Sequence, residues 1–321
     1  MAEFSDKSQK NIAPRIAVQV SPSYYVVVGN MHLETLTDAL TEACRSGYHV
    51  LSEGGAAVDA VEKTISYLED LYYFNCGYGS LLNNDEEIEC DAMIMDGTTL
   101  NTGAVMAADC LKSPVKLARK IMEETMHTAI AGAGVEKVAR KLQFPTFTND
   151  ELKHSETAAF KLKYEELPNF LKEQFGGWDS VSAVAMDKHG HFACASSTGG
   201  QPGRLKGRLS DACTVGCGGY ANEYGAATAG GYGEAVRKMT LARQVVFNME
   251  SGQDAQNSVK NAVEKMKERL PKRGFGSAIA IDRNGNIGIH NTSSIIWFKN
   301  EGGNELQGTL IKPRKVNSTP E

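Results

Sequence analysis

The chain has 321 residues, 41% of them hydrophobic and 23% charged, with a net charge of −5. That length buries a sizeable core in one large domain or two small ones, and the composition is that of an ordinary soluble globular protein. No strong basic run points to a nucleic-acid partner, and no apolar run is long enough to suggest a membrane span.

Residues 1–14 are polar and read as a disordered lead, not a secretory signal, so a cytoplasmic location is expected. Seven cysteines, odd in number and without a CxxC pair, fit buried free thiols in a reducing compartment. The histidines do not cluster with cysteine at ligand spacing, so no metal site is expected from them. Arg15-Ile16-Ala17-Val18-Gln19-Val20 reads as a strand, and Tyr24-Tyr25-Val26-Val27-Val28 as another or its continuation. Leu36, Ala39, Leu40, Ala43 and Cys44 recur at helical spacing, and Gly47 is expected to close that helix. Val58, Val61, Ile65 and Leu68 mark a second helix, ending near Asp70.

Residues 74–80 form a glycine-spaced loop without the GxGxxG or GK[ST] pattern, so a phosphate cradle is not expected. Strands are expected at residues 90–96 and 103–108, and Pro114 is suited to open a helix carrying Leu117, Ile121 and Met122. A further helix is expected over residues 135–142. Residues 145–179 are polar and charged, the texture of a mobile linker where proteolysis concentrates. Residues 182–192 resemble residues 277–287, each copy being strand, Asp-containing turn and strand. They are expected to be two hairpins of one antiparallel sheet, with Asp187 and Asp282 as turn residues. Between them, Val236, Met239, Val245, Val246 and Met249 are assigned to one helix, and Val259, Ala262, Val263, Met266 and Leu270 to another. Strands and helices in separate runs favour α+β layers, and the last ~15 residues read as a loose tail.

The chemistry concentrates after the linker. Ser180 starts a small-residue strand, and Thr198-Gly199-Gly200 and Gly207-Arg208-Leu209-Ser210-Asp211 follow closely. Hydroxyl, glycine turn, arginine and aspartate suit a small, doubly charged substrate. No GxSxG elbow is present, so a Ser-His-Asp triad fits poorly. A hydroxyl residue freed as a new N-terminus can use its own α-amine as base, whose pKa of about 7.7–8.0 suits neutral pH. The Asp179-Ser180 bond, between linker and strand, is the expected cut.

Several motifs resemble those of the plant-type asparaginase and isoaspartyl peptidase group of N-terminal nucleophile hydrolases, which also contains aspartylglucosaminidase. They are Glu53-Gly54-Gly55-Ala56-Ala57-Val58-Asp59-Ala60-Val61-Glu62, Phe74-Asn75-Cys76-Gly77-Tyr78-Gly79-Ser80, Asp91-Ala92-Met93-Ile94-Met95-Asp96-Gly97, Pro114-Val115-Lys116-Leu117-Ala118-Arg119, Ser197-Thr198-Gly199-Gly200, residues 207–211 and Gly231-Tyr232-Gly233-Glu234. The resemblance implies a four-layer αββα sandwich, class α+β, formed by a single hydrolase domain over residues 15–321. It implies self-cleavage into chains 1–179 and 180–321, and a homodimer of such pairs. The implied substrate is L-asparagine or a β-aspartyl peptide.

By the same resemblance Ser180 is the nucleophile and Thr198 supports it, while the Gly231 N–H faces the oxyanion. Arg208 takes the substrate α-carboxylate and Asp211 its α-ammonium. The loop between Leu68 and Phe74 matches one that holds sodium through backbone carbonyls in some members; no other metal or cofactor is implied. Three positions depart from the pattern. Serine replaces the threonine nucleophile and lacks the β-methyl that restricts χ1. Gly230 stands where the family has threonine, losing an oxyanion donor. Gln19-Val20-Ser21 stands where the family has His-Gly-Gly. The alternative to an active amidohydrolase is therefore a catalytically weak or inactive homologue with a binding or structural role.

Overall fold

The computed structural model describes residues 12–21, 33–167, 169 and 180–310. The strand expected at residues 24–28 and the Asp179 side of the expected cut lie outside them. Among the described residues, twelve strands form two sheets. The larger sheet takes β1 (Arg15–Val20), β2 (Cys90–Asp96), β3 (Thr102–Ala108), β4 (Ile130–Ala131), β5 (Val181–Met186), β6 (Phe192–Thr198), β11 (Ile295–Glu301) and β12 (Asn304–Leu310), in the order β12-β11-β1-β5-β6-β2-β3-β4. The smaller takes β7 (Gly219–Asn222), β8 (Gly225–Gly231), β9 (Gly276–Asp282) and β10 (Ile287–Asn291), in the order β10-β9-β8-β7. All neighbours are antiparallel except β3 and β4.

Strand alternation sorts the residues into separate cores. On β5, Val181, Ala183 and Ala185 pack with Leu40, Val61 and Leu117, from helices α1 (Leu33–Ser52), α2 (Ala57–Glu69) and α3 (Pro114–Glu124). The intervening Val184 and Met186 pack instead with Ala226, Ile279 and Ile281 of the smaller sheet. That sheet turns Ala227, Ala229, Ala278 and Ala280 toward a third core. Small residues recur at these contacts, which lets the layers approach closely.

Three short helices, α4 (Ala133–Lys141), α5 (Asn149–Leu152) and α6 (Ser155–Ala159), follow on the larger sheet's side of the sequence. α5 is opened by a capping box, with the Thr148 N–H donating to Glu151 Oε2 at 2.7 Å. Leu152, Thr157 and Leu167 are buried, so this part of the stretch read as a linker is tied to the body of the protein.

Four other expectations are corrected. α1 does not stop at Gly47 but runs through it to Ser52. A Cβ at Gly47 would lie 2.1 Å from Thr64 Oγ1 and 2.7 Å from Ile16 Cδ1, so the glycine marks where α1 meets α2 and β1. The helix expected over residues 236–249 is two, α7 (Gly233–Met239) and α8 (Leu241–Glu250), divided at Thr240 with a left-handed φ of 44°. They are followed by α9 (Ala255–Arg269). β12 occupies the first part of the presumed tail, through Leu310.

The two similar hairpins lie in different sheets, not one: β5–β6 in the larger and β9–β10 in the smaller. What they share is an anchor. Asp187 Oδ1 accepts from the N–H groups of His189 (2.9 Å) and His191 (3.1 Å), and Oδ2 from Ala57 at the start of α2 (3.4 Å). Asp282 does the same with Asn284 (2.9 Å), Asn286 (3.0 Å) and Ala255 at the start of α9 (3.1 Å). All seven cysteines are buried and none is joined in a disulfide, and burial pushes the Cys90 thiol up to about 12.

Candidate active site

The space between the sheets changes character along its length. One end is apolar, with Met93, Val184, Met186, Phe192 and Ile279. Two residues before Val184 the same face of β5 carries Ser182. Its hydroxyl donates to Thr228 Oγ1 at 2.9 Å and accepts from Gln19 Nε2 at 3.2 Å. Gln19 Oε1 is buried with no partner among the described residues.

One more alternation step back from Ser182 is Ser180, partly buried just before β5. β5 and β6 pair Val181 with Ser197, so the next step of that register sets Ser180 against Thr198. Thr198 is buried at the end of β6, and its Oγ1 accepts the Gly200 N–H at 3.0 Å.

Across the inter-sheet space, the step forward from Thr228 is Gly230. It is buried, yet a Cβ added there would have no heavy atom within 4 Å. The next residue is the reverse. Gly231 has a φ of +138°, and a Cβ would lie 2.4 Å from Gly276 Cα and 2.5 Å from the Phe275 carbonyl oxygen. Only glycine fits at 231, whereas 230 borders open space.

Arg208, Asp211, Gly233 and Glu234 converge beside these strand ends. A Cβ on Gly233 would fall 2.6 Å from Asp211 Oδ1 and 2.7 Å from Arg208 Nη2, so its absence admits both side chains. Arg208 does not pair with Asp211. Its Nε and Nη2 donate to Glu234 Oε1 at 3.0 and 2.9 Å, and Gln201 Nε2 donates to Glu234 Oε2 at 2.9 Å. Burial alone would raise the Glu234 carboxyl, but the charge and hydrogen bonds of Arg208 outweigh it and hold it below the usual range. Asp211 is fully buried, and that burial, only partly opposed by Arg208, pushes it up to about 6. Its Oδ2 has no partner among the described residues.

Buried charges pin this loop from behind. Asp91 accepts the Ser210 N–H on Oδ2 and the Ala107 N–H on Oδ1, each at 2.7 Å. Glu89 Oε1 accepts the Gly207 N–H at 2.9 Å. Arg204 donates to the Glu89 carbonyl oxygen at 2.6 Å and lies 3.8 Å from the Glu89 carboxylate.

The loop after α2 turns its carbonyls inward. A Cβ on Gly79 would meet the carbonyl oxygens of Phe74, Tyr72 and Leu71 at 2.1, 2.9 and 3.0 Å. Such convergent neutral oxygens are the donor type that a hard cation takes. No group of three or more His, Cys, Asp or Glu side chains suited to a metal occurs among the described residues. Glu69, at the end of α2, is fully buried and pushed up to about 8 by that burial, with the Val115 N–H donating to Oε1 at 3.0 Å.

The sequence-derived candidates fall into two groups near one another in the chain's topology: Ser180, Thr198 and Gly231 at strand ends, and Arg208 and Asp211 in the pinned loop. Sequence reasoning assigned no role to Gln19, Glu89, Asp91, Gln201, Arg204 or Glu234. A signal existed for two of them, since Glu89-Cys90-Asp91 places alternate carboxylates at the head of an otherwise apolar strand.

The family model described as Asparaginase matches residues 23–311. The chain is 41% identical over 254 residues to an isoaspartyl peptidase/L-asparaginase of Danio rerio, covering 78% of this chain and 81% of that protein. It is 36% identical over 321 residues to the protein of that name from Mus musculus, covering 96% and 98%. A plant-type L-asparaginase of Pyrococcus abyssi is 36% identical over 280 residues, covering 84% and 91%.

Proposed function

The chain belongs to the asparaginase family, and from that premise we propose that it is an isoaspartyl peptidase/L-asparaginase-like amidohydrolase with Ser180 as its nucleophile. The observation that carries the assignment to Ser180 is the β5–β6 register, which sets it against Thr198 at the polar end of the inter-sheet space. Cleavage of the Asp179–Ser180 bond frees the α-amine. That amine takes the hydroxyl proton as Oγ attacks the side-chain amide carbon of L-asparagine or of a β-aspartyl peptide. The Gly231 N–H faces the developing oxyanion. The amine returns the proton to the leaving nitrogen, ammonia or peptide departs, and water hydrolyses the Ser180 ester. Arg208 takes the substrate α-carboxylate and Asp211 its α-ammonium, which would supply the partner that Asp211 Oδ2 lacks.

Three finer readings belong to the same proposal. The three separate cores support a four-layer αββα arrangement. The converging carbonyls of Leu71, Tyr72 and Phe74 fit a sodium ion that would brace this loop. Two cleaved units pair as a homodimer. The silent-homologue alternative is not favoured, because the named relatives at 36–41% identity are hydrolases across most of the chain.

Intact mass under denaturing conditions tests the nucleophile. The expected result is two fragments meeting at Asp179/Ser180, absent in Ser180→Ala, with asparagine and β-aspartyl peptide hydrolysis lost in that variant. A single chain that stays intact over days at neutral pH would sink the N-terminal nucleophile mechanism.

A further inference from the structure

Gly230 has a cross-strand neighbour whose hydroxyl none of the roles above uses. The β8–β9 register sets Ser277 directly opposite Gly230, as it sets Ile279 opposite Thr228. Along β9, Ala278 and Ala280 turn to the third core while Ile279 and Ile281 turn to the inter-sheet space, so Ser277 shares the latter face. Opposite residues on one face hold their Cβ atoms about 4.5–5.5 Å apart. Ser277 therefore borders the space that a side chain at 230 would fill, without coming within 4 Å of a Cβ built there. It is 3% exposed, and its hydroxyl makes no hydrogen bond among the described residues. Its other cross-strand neighbour, Asn291, sends its amide to the Ser293 carbonyl oxygen at 2.7 Å instead.

The Gly231 N–H is turned out of the β8–β9 ladder. The Tyr232 N–H donates to the Phe275 carbonyl oxygen at 3.1 Å, toward β9, and the Ala229 N–H donates to the Gly218 carbonyl oxygen at 3.0 Å, away from it. Alternation along β8 sends the Gly231 N–H the way of Ala229, which leaves it for the oxyanion. A water beside Gly230 would accept from the Ser277 hydroxyl and donate to that oxyanion, two polar partners in a roomy site, which is what a bridging water needs. We propose that Ser277 is a positioning residue: it holds a water in the space beside Gly230, and that water gives the oxyanion its second hydrogen bond, in place of a side chain at 230. This rests on the Ser180 mechanism proposed above.

Steady-state hydrolysis of L-asparagine by the self-cleaved protein tests it. Ser277→Ala should lower kcat about tenfold, less than the 10²–10³-fold of a direct oxyanion donor, and leave KM within about twofold of wild type. Ser277→Thr, which keeps the hydroxyl, should stay within about threefold of the wild-type kcat. Gly230→Thr puts a hydroxyl in the water's place, and on that background Ser277→Ala should change kcat less than about twofold, a non-additivity that a merely structural serine would not give. A Ser277→Ala kcat within about twofold of wild type, a loss that falls on KM, an equal loss in Ser277→Thr, or the same loss on both backgrounds overturns this inference and leaves Ser180 as the nucleophile. Should Ser277→Ala fail to fold, Ser277→Cys keeps the volume without a strong donor and carries the same readings. Wild-type protein that stays a single chain and releases no ammonia overturns both.

Discussion

The loop from Gly199 to Asp211 and the strand ends carrying Ser180 and Gly230 are neighbours built on opposite plans. The loop is tied down by Glu89 and Asp91, buried beneath it, its own Arg204 reaches down to the Glu89 carbonyl, and its Arg208 pairs with Glu234. The strand ends have a buried Gln19 Oε1 with no partner among the described residues, the serine at position 180, and open space beside Gly230. The contrast has a physical reason. Gripping a charged amino acid requires charges already in position, because ordering them on binding would cost affinity. A reacting edge must leave room for the acyl group and its water.

The contrast breaks most severely if the loop loses its support. Asp91→Ala strips the acceptor from two backbone N–H groups, those of Ala107 and Ser210. Each buried N–H left unpaired costs about 1–3 kcal/mol, so a total loss of roughly 2–6 kcal/mol is expected in urea denaturation. Ala107 adds to the sensitivity, since its φ of 48° sits at the irregular register between β2 and β3. L-Aspartate binding should be lost in the folded fraction. A loss below about 1 kcal/mol with binding retained would mean that the loop holds itself and the strut is dispensable.

This difference in plan also governs what the sequence discloses. The strands and first helices are legible because small and branched residues alternate or recur with the right period, as in β5 and α2. Thr198, Arg208 and Asp211 stand out in the sequence because they lie in motifs, and Ser180 because it opens a small-residue strand after a charged stretch; the structure sets Ser180 against Thr198 and brings Arg208 and Asp211 together around Gly233. Gly47 misleads, because a glycine where two helices and a strand touch looks the same in sequence as a glycine at a helix end. The hairpins at Asp187 and Asp282 mislead for a related reason. Local similarity specifies the turn and its anchor but says nothing of which sheet receives it. Gln19 is illegible, since its partners Ser182 and Thr228 lie 163 and 209 residues away. Glu234 is visible within its motif, but nothing local says that it reaches Arg208, 26 residues earlier.

The reacting edge can be made to resemble the holding loop. Gly230→Thr places a hydroxyl where a Cβ meets nothing within 4 Å, so little steric cost is expected. If that hydroxyl donates to the oxyanion, turnover of L-asparagine should rise about 10- to 100-fold, below the 10²–10³-fold that one donor is typically worth because the site was not shaped around it. Gly230→Ala fills the same space without a donor and should give no gain. Equal rates for the two variants would show that a hydroxyl at position 230 does not reach the oxyanion.

The smallest expected effect sharpens the comparison from the holding side. Asp211 is pushed up to about 6 by burial, so it must give up a proton before it can hold an ammonium near that pH. L-Aspartate affinity should fall about tenfold per pH unit below 6, until the folded-state pKa of the complex is reached. Stability should respond with the opposite sign. A carboxyl whose folded pKa exceeds its unfolded value of about 3.9 favours the folded state at low pH, and that contribution is lost as pH rises from about 4 through 6. Asp211→Asn removes the titration, so it should flatten both profiles over this window while weakening binding at every pH. Affinity and stability moving together in wild-type protein would mean that the group titrating here is not Asp211, and that the pinned loop holds its ligand by Arg208 alone.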